Sequence, residues 1–335
     1  MADSTPTLPL AGGTLGLSGP RPVLLVDPGE RLLRSVLDAL ADAAPAVAAP
    51  TVGTLRSEVD AREDHATGSI DLPHPVPESF PHLRVAAREP VLDAVLDGFH
   101  AASRVAAFRE ADALSLVTVE AREPSTLLVA DGAVAVPLPA ADAAGYAAVR
   151  ETDPERVDEV RGRWETRLTD AEPYALRTPS RRALFGAFAG RCDADVAAEL
   201  LRLLDALPEV DRGDPCDHLD CVYAAGARRD AVNYGLRRAA EDCGLASPAT
   251  LSSVKAEFEA AGLIETEPVP RRVGRPRQRI VPADDRLAAA AAEEVPGFVA
   301  AAKGDGTDGG ADAADAAEAE THAASGVDPT AGDDA

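Results

Sequence analysis

The chain has 335 residues, enough for about two domains of ordinary size plus tails, and with 46% hydrophobic but only 4% aromatic residues its core must be built from Ala, Val and Leu. The formal charge is −24, from 57 acids against 33 bases of which only Lys255 and Lys303 are lysines; molar salt, where the Debye length falls to about 3 Å, makes such self-repulsion tolerable and points to an extreme halophile. The longest apolar runs fall short of the ~18 residues of a membrane span, Met1 to Pro20 lacks the basic and apolar regions of a secretory signal, and four cysteines between positions 192 and 243 are too few for a disulfide framework, so a reduced, cytoplasmic protein is expected.

Residues 1–20 are rich in Pro, Gly, Thr and Ser without periodicity and read as a disordered tail. An α/β domain is expected over 21–150. It opens with the apolar strand Pro22-Val-Leu-Leu-Val-Asp27 and a helix carrying Leu32, Leu33, Val36, Leu37 and Leu40 at helical spacing. Residues 56–81, with His65, His74 and four prolines, form a loop with no assigned place. A strand is expected at 83–87, a helix at 90–112 and a buried strand at 114–119. An antiparallel pair follows, split by Asp131-Gly132, a dipeptide suited to a tight hairpin. Asp27 ends the first strand and reads as a turn or capping residue rather than a phosphoacceptor. No Gly-x-Gly-x-x-Gly, Walker loop, Gly-x-Ser-x-Gly or His-Glu-x-x-His motif is present, so neither an enzyme nor a cofactor is expected, and the domain is read as a sensor of a small-molecule effector, a dimerisation unit, or both.

A charged helix beginning at Asp153-Pro154 serves as a connector over 151–177, and a mostly helical domain follows over 178–283. Its most specific signal is a helix from Arg228 to Cys243, ended by Gly244, then Ser247 as an N-cap with Pro248 at the first helical position. Two helices joined by so short a turn follow the helix-turn-helix plan. In the second helix Leu251, Val254 and Phe258 point inward. Ser247, Thr250, Ser252 and Ser253 are then placed to meet base edges in the major groove of double-stranded DNA, and Lys255 to reach a phosphate.

Residues 268–282 contain Arg271, Arg272, Arg275, Arg277 and Arg279 and no acid, whereas 283–335 contain 13 acids against Arg286 and Lys303. In so acidic a chain a basic segment between two short strands reads as the wing of a winged helix, its guanidinium groups suited to phosphate and to a narrow minor groove. Gly274-Arg275-Pro276-Arg277 also resembles the Gly-Arg-Pro element of AT-hooks. The alternative is a small helical domain whose arginines solvate its surface. For Arg181, Arg182, Arg228, Arg229, Arg237 and Arg238, solvated helix faces or local ion pairs weigh at least as heavily as phosphate contact. Cys216, His218, Cys221 and Cys243 lack a usual structural-zinc spacing and are read as packed thiols. Residues 284–335 are read as an acidic, mostly disordered tail.

Val-Leu-Leu-Val-Asp, Leu-Leu-Val-Ala-Asp-Gly, Ala-Glu-Asp-Cys-Gly-Leu-Ala-Ser-Pro-Ala-Thr-Leu-Ser, Gly-Leu-Ile-Glu-Thr-Glu and Val-Gly-Arg-Pro-Arg-Gln-Arg, in that order, resemble the haloarchaeal TbsP family of transcriptional regulators over about residues 20–283. The resemblance implies a winged-helix DNA-binding protein acting on genes of central sugar metabolism. A homodimer on promoter DNA is expected, because one such unit reads too few bases for useful specificity. The competing expectation is a protein-interaction adaptor whose winged helix binds the transcription machinery instead of DNA.

Overall fold

The computed structural model describes residues 5–10, 13–19, 21–62, 68–120, 123–130, 132–140, 145–208, 216–270 and 276–304. Its N-terminal half is an α/β unit and its C-terminal half a helical one that carries a two-stranded wing.

The expected N-terminal tail is instead part of the sheet. β1 (Thr7–Leu10) and β2 (Gly13–Gly16) form an antiparallel hairpin in which Leu8 faces Leu15, and Leu8, Leu15 and Leu17 are buried. Leucines at alternate positions supply the period of a half-buried strand despite the surrounding Pro, Gly and Thr. β3 (Val23–Val26) is buried throughout and leads into α1 (Glu30–Ala43), which puts Leu32, Leu33, Val36 and Leu40 against the sheet. α2 (Pro45–Ala48) and α3 (Val52–Asp60), which buries Leu55, follow, so the first residues of the loop expected over 56–81 are the end of a helix.

After β4 (Leu83–Ala87) the helix expected over 90–112 is two, α4 (Glu89–Val95) and α5 (Phe99–Glu110), because Gly98 at φ 88° turns the chain between them. β5 (Leu114–Thr118), β6 (Leu127–Ala130), β7 (Ala133–Pro139) and β8 (Tyr146–Glu151) complete the sheet. The β6–β7 turn holds Gly132 at φ 67°, and its Asp131 lies outside the described residues. The strand order is β2-β1-β8-β7-β6-β3-β4-β5, with β3, β4 and β5 parallel and β6, β7 and β8 antiparallel. Helices α1, α2, α4 and α5 cover one face.

The other face is covered by α6 (Pro154–Arg167), capped by Asp153, whose Val157 and Trp164 pack on Leu24, Val26, Ala86 and Val129. The expected connector is therefore a layer of the N-terminal unit, because its apolar residues match that of the sheet beneath. The chain then runs past the β5 edge, where Thr118 N–H donates to the Glu172 carbonyl (2.9 Å).

The C-terminal half comprises α7 (Arg181–Arg191), α8 (Ala194–Asp205), α9 (His218–Arg228), α10 (Asn233–Asp242), α11 (Pro248–Ala260), β9 (Ile264–Val269), β10 (Arg277–Pro282) and α12 (Asp285–Ala289). The single helix expected from Arg228 to Cys243 is interrupted. Asp230, at φ 52°, ends α9, and Val232 forms a bridge to Arg279 of the wing before α10 begins. Nor is the chain after 283 wholly a tail: Leu287 of α12 and Val295 and Val299 of the helical stretch 295–304 are buried in the C-terminal core, while Lys303 pairs with Asp220 (3.0 Å) and Glu257 (2.9 Å). An acidic average conceals this short apolar spacing; residues 305–335 lie outside the described residues.

The two halves share a core, since Leu55, Leu72 and Phe99 pack with Leu184, Phe185 and Phe188 of α7 and with α8. Close approach at this seam depends on glycine. A Cβ at Gly186 would lie 1.9 Å from the Ile70 carbonyl oxygen, and one at Gly190 would lie 1.8 Å from that of Gly68. Beside them Glu110 accepts from both the backbone N–H (3.1 Å) and the hydroxyl (2.5 Å) of Ser180, the N-cap of α7, and contacts His74 (3.1 Å).

Candidate nucleic-acid interface

α10 ends where Gly244 turns at φ 74°, and α11 starts three residues later with the Ser247 hydroxyl accepting from the Thr250 N–H (3.1 Å). Leu251, Val254 and Phe258 seat α11 on the core, with the Phe258 ring 6.1 Å from that of Tyr223. Ser247, Thr250, Ser252 and Ser253 are all exposed, on the face the inward stripe leaves open. Ser252 and Ser253 donate to the carbonyls of Pro248 (2.8 Å) and Ala249 (3.5 Å), which leaves their oxygens able to accept from a base edge. The first turn of α11 has no acid, so its positive dipole end is open to an anion. Lys255 sits differently. Its side chain is 14% exposed and its ammonium donates to Glu259 (2.5 Å), which ties it to the acidic end of the helix.

The wing pairs β9 with β10 from Val269↔Arg277 to Ile264↔Pro282, and Ile280 anchors it in the core. Arg277 and Arg279 lie on β10, Arg279 opposite Glu267. Arg271, Arg272 and Arg275 lie outside the described residues. The five arginines of the sequence reading are thus described at two positions only.

Between α10 and β10 lies an open cleft of about 830 Å³, lined by Asn233, Tyr234, Arg237, Arg238, Pro276 and Arg277 among others. Tyr234 is 52% exposed, and the Arg277 guanidinium lies over its ring, 4.2 Å from the centroid. This contact holds the guanidinium over the ring, and its N–H groups have no carboxylate partner among the described residues. Arg237 has a buried Nε with no hydrogen-bond partner among the described residues. Arg238 is tied to Glu241 (2.5 Å). Asn233 is held by the Tyr223 hydroxyl, which donates to its Oδ1 (3.2 Å); burial pushes the Tyr223 phenol up to about 12, so it stays protonated. The cleft brings together the start of α11, one face of α10 and the loop end of β10, and its charge and exposed ring suit a polyanionic backbone.

Sequence reasoning singled out α11 and the wing but missed Tyr234 and Asn233 and left Arg237 and Arg238 undecided. The signal was a tyrosine on the polar side of an amphipathic helix. The Val232 bridge to Arg279 turns this side toward the wing, where Tyr234 meets Arg277.

The other candidate chemistries are absorbed by the fold. Asp27, at φ 43°, accepts from Arg88 Nε (3.1 Å) and the Glu123 N–H (2.8 Å), while its carbonyl accepts from the Thr126 hydroxyl (2.7 Å). It locks the end of β3, and the N-cap of α1 is Gly29. Cys216 and Cys221 are buried; the hydrogen bond with Cys216, followed by burial, raises the Cys221 thiol, and burial raises Cys243 to about 12. Among the described residues no group of three or more His, Cys, Asp or Glu is placed to hold a metal ion, and no helix is long and apolar enough to cross a membrane.

Comparison with protein families matches residues 23–179 to the N-terminal domain of TbsP-like transcriptional regulators and residues 180–300 to their C-terminal HTH domain. The junction falls at Ser180, the N-cap that Glu110 holds at the seam. No curated protein and no solved structure matches the chain. With both domains present in order from residue 23 to residue 300, the chain belongs to the TbsP-like family of transcriptional regulators.

Proposed function

We propose that this regulator binds double-stranded promoter DNA in a sequence-specific manner, as a homodimer in a haloarchaeal cytoplasm. α11 enters the major groove by its N-terminal half, where Thr250, Ser252 and Ser253 are exposed and no acid intervenes, while Glu257 and Glu259 mark the end that stays out. The wing arginines and the α10 cleft hold the adjacent backbone or minor groove. The observation that carries this reading is the Tyr234–Arg277 stack in a cleft also lined by Arg237, an arginine held on an exposed ring beside a second arginine in a chain of net charge −24. In molar salt counterion release contributes little, so base contacts, shape and the second protomer must provide most of the affinity. The resemblance to the family suggests genes of central sugar metabolism as targets.

Genome-wide occupancy of a tagged copy, in cells grown with and without sugar, tests this. The control is a variant with Arg271, Arg272, Arg275, Arg277 and Arg279 changed to Gln. Discrete promoter peaks that vanish in the variant are expected. Peaks that persist in it would indicate recruitment through another protein, and no peaks at all would remove the proposal.

A further inference from the structure

Where the two halves meet, the α2–α3 junction and α5 face α7 and α8 across an open cleft of about 480 Å³. That volume lies within the range of small-molecule sites, which favour seams of this kind. Ser103, in the middle of α5, lines the cleft at 1% exposure, and its hydroxyl has no hydrogen-bond partner among the described residues. A helical serine can always return its proton to the carbonyl one turn back. This one does not, and a buried hydroxyl left unpaired is costly unless something else meets it.

The rest of the wall says what that something is. Arg104, next to Ser103, also lines the cleft, its Nε donating to the His100 carbonyl (3.4 Å) and its guanidinium lying 3.9 Å from Asp38, which stands outside the cleft. Arg181 enters from α7 and is held by Asp205 and by the Pro50 carbonyl (3.3 Å). The nine-residue helix α3 starts in the wall at its N-cap Thr51, with no acid in its first turn, so its positive dipole end also faces the space. Phe99 and Leu207 supply apolar surface.

We infer that the seam cleft binds a small organic anion: an oxyanion group, phosphate or carboxylate, on a compact apolar body, received by the Ser103 hydroxyl, Arg104 and the start of α3. Because the wall is drawn from both family domains, the bound anion joins them. This site is independent of whether the wing touches DNA.

Calorimetric titration of the full chain, at the lowest salt that keeps it folded by circular dichroism, tests the inference with phenyl phosphate and benzoate as probes and benzyl alcohol as the uncharged control. One saturable site per chain is expected for at least one anion, about tenfold or more tighter than for the alcohol, and the preferred anion tells phosphate from carboxylate. Ser103→Ala should weaken that binding about tenfold while raising the melting temperature of the free chain by about 2–4 °C, since it removes the unpaired hydroxyl. A merely structural serine would not separate the two effects in this way. Arg104→Gln should weaken binding comparably and decides the matter if the alanine variant fails to fold. No anion binding above the alcohol control, or binding unaltered by both substitutions, overturns the inference.

Discussion

At the seam Arg182 is 1% exposed and its guanidinium is closed off by Glu58, with the Ala46 carbonyl nearby (3.4 Å). Across the cleft between α10 and β10, Arg277 lies over the Tyr234 ring, 4.2 Å from its centroid, and has no carboxylate partner among the described residues. The same contrast holds for Glu199 of α8, which is 3% exposed and gathers Arg228 (2.7 Å), Arg229 (2.5 Å) and Arg202 (3.2 Å). In a chain with 57 acids a carboxylate is available to most arginines. An exposed arginine left without a carboxylate, as Arg277 is among the described residues, therefore marks a face whose counter-charge comes from outside, whereas Arg182 joins the two halves and the Glu199 cluster ties α8 to α9.

The largest way to break this contrast acts at the seam. Gly190→Ala places a methyl against the Gly68 carbonyl oxygen, and Gly186→Ala does the same at Ile70. Backbone cannot yield as a side chain does, so each substitution should cost about 3 kcal/mol or more in urea denaturation. Wild-type stability in either variant would mean that the seam is not closely packed.

Next in size is the Glu199 cluster. Burial alone would raise this carboxyl, but hydrogen bonds from Arg229 and Arg228 hold it below its ordinary range. A lowered folded-state value means that its contribution is present above the ordinary carboxylate range and is lost as pH falls through the lowered value. Glu199→Gln should therefore cost about 2 kcal/mol at about pH 7, a figure reduced for the partial exposure of Arg229 and Arg202, and progressively less toward about pH 3. A pH-independent difference between the two chains would show that the charge is not what matters.

The smallest change sharpens the open side. Tyr234 is more than half exposed, so Tyr234→Ala should alter stability by less than about 1 kcal/mol. It should nonetheless weaken promoter binding about tenfold by releasing the Arg277 guanidinium, and Tyr234→Phe, which keeps the ring, should retain most of the affinity in the same anisotropy titration.

Much of this architecture was legible from spacing alone. The buried run Val23–Val26, the 83–87 strand, the 114–118 strand, the Asp153 and Ser247 caps and the wing strands follow from apolar periodicity and from capping residues whose chemistry is local. What was hidden had its signal diluted or its cause elsewhere in the chain. Leu8, Leu15 and Leu17 are strand residues in a setting of Pro, Gly and Thr, and Val295 and Val299 sit in an acidic, alanine-rich stretch. The break at Asp230 comes from a positive φ in a residue other than glycine, fixed by the wing strand that bridges Val232. At the site, α11 and the basic hairpin were readable, but the cleft was not. Tyr234 and Arg237 gain their meaning from β10, some forty residues later in the chain.

The central claim is that the α10–wing face meets DNA. Its most direct measurement is fluorescence anisotropy of the purified chain on a promoter fragment taken from an occupancy peak, over a series of salt concentrations, beside the five-arginine glutamine variant. The account predicts that the variant melts within about 2 °C of wild type, binds about a hundredfold more weakly, and shows a shallower dependence of affinity on salt, since phosphate contacts have been removed. A folded variant with wild-type affinity and an unchanged salt slope would contradict it.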